Sequence, residues 1–552
     1  MKNFLLILLL SFSAAPAQTW QWGRQGGSDN MMSTLPEQVR QVLTDHVGNV
    51  YILAPVGVTN LEVDGNPKTG YSGIGDGGFQ SDYMLASFTC DGVYRWSKVF
   101  GGIGTDVIRR MQLDAEGNIY LNVDFTPLSS GTGFAGLHLD TDLTLPMSPS
   151  NVNLNKESLY LIKYSSEGEL LWYKTPQAFD INYSDSNNGV GIDLQTDADG
   201  NSWWFVQLQS GVYGGGQYVV EEDNTPHILR YDADGNFIGA FPLDMLVGYA
   251  FKITMLRNKD NGKLYFGGFI NLPFEPASFG GNVLTGTSFL AAYDATGEFL
   301  WLKQDVAPSP SSLTGFRSMC MDDDGNIYIG GSTLNGMTFG GHTFNNTTGP
   351  HTFPFALKLD PDGNVIWGTN ASTTALVNAD AITVGAITGG FGGNFLWGGH
   401  TLTTLPNSGY DIYMARFNPE TGEIIALETL EDNVGFADYG TALTRDIHNN
   451  IYLGGMFGSY LYVNSETPMI NNGQESDFFI AKFGSNDCSL ATGENIPSEI
   501  KVWPNPVKDF LQLENLQGNY SYTLYDVLGQ QIAKGLISDT APLLNTENLT
   551  SG

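Results

Sequence analysis

The chain has 552 residues, with 25 Lys and Arg against 58 Asp and Glu, a formal net charge of −33. A field of that sign repels phosphate backbones and anionic lipid headgroups, so nucleic acid is not an expected partner. With 68 Gly, 12% aromatic residues and no long amphipathic helical pattern, the composition favours an all-β chain rich in turns.

Lys2 supplies a basic start, Phe4 to Phe12 a short apolar run, and Ala15-Pro16-Ala17 the small residues suited to cleavage. Residues 1–17 therefore read as a secretory signal peptide, cut between Ala17 and Gln18. The run is too short for a spanning helix, and no later stretch reaches about 18 consecutive apolar residues, so no membrane-spanning segment is expected in the mature chain. Gln18 rather than Cys follows the cut, which argues against a lipoprotein anchor. An export compartment permits a disulfide, but Cys90, Cys320 and Cys488 cannot all pair. No CxxC or close His/Cys set suggests zinc.

From residue 18 to 484 two motifs alternate. The first reads DHVGNVY from Asp45, DAEGNIY from Asp114, DADGNSW from Asp197, DDDGNIY from Asp322 and DIHNNIY from Asp446. Weaker copies are KDNGKLYFGG from Lys259 and GFGGNFLWGG from Gly390, seven in all. A calcium loop of the EF-hand type needs oxygen ligands one, three and five residues before its glycine and Glu at the twelfth position. Around Gly325 those places hold Asp324, Asp322, Cys320 and Gly331, so both end ligands fail. A turn explains the motif better, since Asp and Asn bond nearby backbone and Gly takes φ > 0 without strain. The following Ile-Tyr-Ile reads as a strand.

The second motif is YLIKYSSEGELLWYK from Tyr160, FLAAYDATGEFLWLK from Phe289 and FALKLDPDGNVIWGT from Phe355, with weaker versions near Tyr83, His227, Ile412 and Phe478. One copy of each motif gives four antiparallel strands, and a repeat of this length suits a β-propeller blade with insertions. The last such strand, Phe478 to Phe483, has no LW-type partner after it, while the mature start TWQWGRQGG resembles RWSKVFGG from Arg95 to Gly102. The expectation is a seven-bladed β-propeller closed by the amino-terminal strand, which pairs otherwise exposed edges. Trp20, Trp22, Trp96, Trp172, Trp301 and Trp367 then serve packing rather than ligand stacking. The string of Trp-strand, Gly-Gly, acidic residue and DxxGNIY resembles the bacterial β-propeller repeat family often found in secreted and surface proteins. That resemblance implies a fold but no single activity.

After a linker over 485–498 the composition changes, and residues 499–552 read as a small β-sandwich. The stretches WPNPVKDFLQL, YTLYDVLGQQI and the final NLTSG resemble the carboxyl-terminal sorting domain of the type IX secretion system of Bacteroidetes. The resemblance implies the type IX machinery as partner, outer-membrane passage, and a secreted or cell-surface location. Such domains usually continue past the SG, so a last strand is expected to be lacking here.

Long loops on one face of a rigid scaffold are the binding candidates. The longest run from Asn122 to Leu159 and from Ala54 to Asp82, the second carrying Tyr71 and Phe79. Glu37, Asp106 and Asp438 each precede their own turn aspartate by eight residues, and Asp380 lies close to the corresponding place. Brought to one mouth of a central channel, the four suit calcium or magnesium, or acid/base chemistry through a raised pKa. The alternative is that each caps a turn through nearby N–H groups. No GxSxG, HExxH, P-loop or Cys/His nucleophile pair is present, and no cofactor is expected unless those carboxylates hold calcium. The reading is a secreted or surface-displayed binding protein for a glycan or protein. A carbohydrate-active enzyme, a glycosidase or lyase built on the channel carboxylates, is the alternative.

Overall fold

The recurring acidic turn folds as a clamp on its own backbone. The Asp322 carboxylate accepts from the backbone N–H groups of Asp324 (3.1 Å) and Asn326 (2.8 Å), from Asn326 Nδ2 (3.0 Å) and from the Tyr328 hydroxyl (3.2 Å). Gly325 takes φ 79° at the bend. The same four donors serve Asp45 and Asp446, so the acidic residue that leads the motif serves the turn. A buried Lys on the third strand completes the clamp. Lys358 Nζ lies 3.4 Å from Asp322 and 5.1 Å from the centre of the Tyr328 ring, and Lys163 stands likewise against Asp114 and Tyr120.

The structure, a computed structural model, describes residues 18–29, 36–71, 82–102, 104–127, 136–140, 143–145, 158–176, 189–247, 252–270, 276–306, 315–404, 409–432, 436–464, 467–471, 473, 476–485 and 488, and the backbone of five strands beyond 500. Residues 1–17, with Ala17 and the expected signal peptide, lie outside the described residues, as does Phe79. Every described element is a β-strand. The chain divides into two units, Met1–Cys488 and Ser489–Gly552.

In the first unit a four-stranded antiparallel meander recurs seven times, and in five of these sheets an aspartate turn, at Asp45, Asp114, Asp197, Asp322 or Asp446, joins the first two strands. The fifth sheet is typical: Gly315–Met321, Ile327–Thr333, Phe353–Leu359 and Val365–Asn370 lie in that order. Its second and third strands are buried along their whole length, as expected for strands covered on both faces. The seventh sheet takes its fourth strand from the start of the chain. Thr19–Gly27 runs antiparallel beside Asp477–Gly484, with Trp20 opposite Phe483 and Gly26 opposite Phe478. The first strand of each sheet packs against the first strand of the next, and that of the seventh against that of the first. A disulfide between Cys90 and Cys488 spans the same junction, and Cys320 remains free.

The fourth-strand tryptophans fasten neighbouring sheets. Trp172 Nε1 donates to the Ala233 carbonyl (3.0 Å) and Trp367 Nε1 to the Pro419 carbonyl (3.0 Å). Each ring rests on the positive-φ glycine of the next sheet's outer turn, Gly235 and Gly422 respectively. Trp96 treats Ser166 and Gly168 in this way, and Trp22 treats Cys90 and Gly92. Trp301 rests on Gly363.

Two features depart from the sequence reading. First, the segment between the second and third strands of each sheet carries a small hairpin of its own, such as Ser278–Phe279 with Asn282–Val283 and Thr338–Phe339 with His342–Thr343. Gly280-Gly281 and Gly340-Gly341 have positive φ at both turn positions, the geometry that suits two-residue hairpins. These hairpins reach back to the preceding sheet: Phe279 pairs with Met245, Thr338 with Val306, Leu139 with Phe100, and Val63 with Gly26. Second, GFGGNFLWGG from Gly390 is not the sixth copy of the acidic turn. In the sixth sheet Ala381–Thr383 and Ala386–Phe391 are joined by Val384-Gly385 alone, and the segment from Asn394 to Trp397 belongs to a side hairpin with His400–Thr403.

In the second unit Lys501–Trp503, Phe510–Glu514 and Leu543–Asn545 form one sheet, and Asn519–Tyr525 pairs with Gln531–Ser538.

Candidate functional site

A β-bulge gives a strand one extra residue and turns its side chain away from the regular alternation. Four of the seven first strands carry one, and the extra residues are Arg109, Ile192, Arg317 and Thr441. Arg40 and Asp380 occupy like positions: the Arg40 N–H bonds the Leu53 carbonyl, although Leu53 is the register partner of Gln41, and the Asp380 N–H bonds the Thr388 carbonyl opposite Ala381. Arg40, Arg109, Ile192, Arg317 and Thr441 each stand five residues before their turn aspartate. In the remaining sheet, the fourth, Lys252 begins the first strand. All seven side chains line one cavity of about 880 Å³ between the first strands.

The charges of this wall are predominantly positive. Asp380 interacts with Lys252, Arg317 and Arg40, three cations around one carboxylate; burial raises its pKa and they oppose the rise. Lys252 lines this cavity with its side chain open to water. Burial and the nearby Arg317, Arg40 and Arg110 bring its pKa down to about 8, against the pull of Asp380. The Arg317 guanidinium lies 4.4 Å from the centre of the Phe269 ring. Arg109 is hydrogen-bonded to the buried Asp124, and Arg110 Nε lies 3.0 Å from Asp193. Cys320 also lines the cavity, but burial pushes its thiol well above the ordinary range, which makes it a poor nucleophile. The arrangement suits the holding of oxyanions in a polar, enclosed space.

The four carboxylates expected to converge occupy different kinds of position. Glu37 is fully buried and accepts from Ser28 N–H (2.8 Å), Ser28 Oγ (2.7 Å) and Gly57 N–H (2.6 Å). Burial raises its pKa to about 7 despite these bonds. Asp438, buried in the seventh sheet, accepts from Gly458 N–H (2.8 Å). Both hold the loop that follows their second strand. Asp106 pairs through its backbone with Phe125 in the first strand of the second sheet, and its side chain lies outside the described residues. Asp380 alone of the other three faces the channel. It is in register with Arg40 and Arg317, not with Glu37, because the two-residue turn at Val384-Gly385 shifts the count. Among the described residues no three His, Cys, Asp or Glu side chains gather as a metal site. Of the long-loop aromatics, Tyr71 stacks on His138 from the other long loop at 4.6 Å, with planes 4° apart.

The basic wall residues escaped sequence reasoning because a bulge leaves no mark in the hydrophobic alternation. Their common offset from the turn aspartate was the available signal.

No curated protein matches the chain. Among solved structures it is similar to quinohemoprotein alcohol dehydrogenase from Comamonas testosteroni, at TM-score 0.33 and 12% identity over 89% of this chain and 79% of that one. It is similar also to the rhamnogalacturonan lyase of Bacillus licheniformis, at 0.30 and 11% over 84% and 74%, and to an ulvan lyase, at 0.33 and 11% over 83% and 96%. None of these likenesses carries an activity to this chain. No helix of the described residues is long and apolar enough to cross a membrane. Residues 501–552 match the secretion system C-terminal sorting domain. The chain is therefore secreted and attached to the cell surface through the type IX system.

Proposed function

We propose that residues 18–484 form a seven-bladed β-propeller whose last blade is completed by Thr19–Gly27, exported by a signal peptide over 1–17 and joined through 485–498 to its sorting domain. Displayed at the surface, it binds an extracellular glycan or protein in the central channel. The observation that supports the channel over the loops is the row of inner-strand bulges, which turns one side chain after another into a cavity of about 880 Å³. Bulges recur where a side chain is re-aimed toward a functional site, and the volume suits a ligand site. The bonds of Glu37 and Asp438 to their own loops favour capping over a shared calcium site. Lys252 near pKa 8 beside Asp380 favours one second reading, a carbohydrate-active enzyme with Lys252 as general base.

The test is a screen of the full chain against polysaccharides and matrix proteins, with binding scored separately from product formation. Saturable binding without turnover is expected, abolished by Ile192→Trp, which fills the channel from a bulge. Binding that survives this substitution at full strength moves the site to the loops, and turnover lost in Lys252→Gln establishes the enzyme.

A further inference from the structure

The molecule is strongly acidic, yet the channel wall reverses that sign. Four of the seven wall positions are basic, Arg40, Arg109, Lys252 and Arg317, and one is acidic, Asp380. Arg109 has Asp124 as partner, the Arg40 guanidinium lies against the Gln38 side-chain amide, and Arg40, Lys252 and Arg317 all act on Asp380. Like charges held together in an enclosed polar space repel one another, and this group comes from four separate sheets. Such a grouping is a poor device for stability, because cations that give up hydration here also face one another across the cavity. It becomes favourable when an anion enters. The outer acidity does not forbid entry, since exposed charges are screened beyond about 8 Å at physiological ionic strength. Inside the cavity screening is weaker and the field of one sign is focused. Between the cations the wall offers amide and hydroxyl groups at Gln112, Thr254 and Thr444, which suit a ligand rich in hydroxyls.

Building on the reading that the ligand sits in this channel, we propose that it is an acidic oligosaccharide, whose carboxylate or sulfate groups are held by Arg40, Lys252 and Arg317. Asp380 keeps the three cations in place before the ligand arrives and competes with it afterwards. Carboxylated and sulfated sugars present the same oxyanion chemistry to this wall.

The experiment titrates the full chain calorimetrically with oligogalacturonate, a sulfated galactan oligosaccharide, a neutral cello-oligosaccharide and sodium sulfate alone. One or both acidic oligosaccharides should bind, at least about tenfold more tightly than the neutral one, with affinity falling as salt rises. Arg317→Gln and Lys252→Gln should each weaken that binding about tenfold or more with unchanged melting temperature, and Asp380→Asn should strengthen it. The last variant keeps the test decisive if removal of a cation disturbs folding. Equal binding of neutral and acidic sugars, indifferent to Asp380→Asn and Lys252→Gln, overturns the charge inference while leaving the channel as the binding site. Binding of sulfate alone, with no oligosaccharide, overturns the saccharide class. No binding by any of the four overturns the proposal, and the protein arm of the earlier screen then decides whether the channel binds at all.

Discussion

Two kinds of carboxylate in this protein, half-exposed in the turns and buried at Glu37, respond to pH with opposite signs. The turn aspartates Asp232, Asp322 and Asp360 are held below the ordinary value: burial pushes upward, but hydrogen bonds from the loop Asn and nearby lysines prevail. Their stabilisation is complete above the unfolded-state pKa and is lost as pH falls through the lower folded value. Glu37 is the reverse case, raised from 4.5 to about 7 mainly by burial. Its contribution is full below pH 4.5 and declines as pH rises through about 7, because only the unfolded chain then ionises freely. That rise in pKa corresponds to roughly 3 kcal/mol. Urea unfolding of the natural protein and Glu37→Gln should therefore show the natural protein losing about 3 kcal/mol relative to the variant between pH 4.5 and 7.5. Parallel curves over that range would mean that Glu37 is ionised in the folded protein. At Asp322 the test removes the hydrogen-bond acceptor itself rather than titrating its charge. Asp322→Ala removes the acceptor for four donors and should destabilise by about 1–3 kcal/mol, while Asp322→Asn, which keeps Oδ1 for the backbone, should be milder.

At the scale of elements, each sheet grips the next through an aromatic ring laid on a glycine. Gly92 and Gly341 separate the two reasons for glycine at a bend. Both have positive φ, 76° and 84°, so alanine meets similar backbone strain at either. At Gly92 the added Cβ would lie 2.5 Å from Trp22 Cδ2, whereas at Gly341 nothing stands within 4 Å. Gly92→Ala should consequently lower the melting temperature clearly more than Gly341→Ala, and equal losses would remove the ring-on-glycine contact from the account. The elements also show what was legible from sequence. The acidic turns around Asp45, Asp114 and Asp322 were readable because a local hydrogen-bond network dictates their residues. The sixth sheet is hidden from a reading by motif because Val384-Gly385 turns without an aspartate, and the nearest Gly-Gly-Asn, at 392–394, leads into a side hairpin. Asp380 falls into the wrong group of carboxylates for the same reason. The side hairpins themselves were written in Gly280-Gly281 and Gly340-Gly341, but short pairings that draw half their partners from a preceding sheet have too little alternation to stand out.

For the first unit as a whole, the junction between first and last sheets is held by two devices of different kind. One is the strand Thr19–Gly27 beside Asp477–Gly484. The other is the Cys90–Cys488 disulfide, whose half-cystines are 398 residues apart. The strand contributes hydrogen bonds and the packing of Trp20 and Trp22, all of which vanish on unfolding; the disulfide persists and limits the freedom of the unfolded chain. A cross-link over so long a loop should stabilise by about 2–5 kcal/mol, the larger values following from loop length. The strand pairing does not diminish this, since it is absent from the unfolded state against which the cross-link acts. Cys90→Ser with Cys488→Ser should thus lower the urea midpoint while unfolding stays cooperative, because the strand still pairs. Removing residues 18–27 should do more, exposing the edge of Asp477–Gly484, yet the disulfide should keep the two sheets adjacent. Both changes together leave nothing covalent and no strand across the junction, and, because one device acts on the unfolded chain and the other on the folded one, the combined loss should be close to the sum of the separate losses. A combined loss well above that sum in a double-mutant cycle would show that the cross-link also holds the folded junction once the strand is gone, so that its effect is not confined to the unfolded chain.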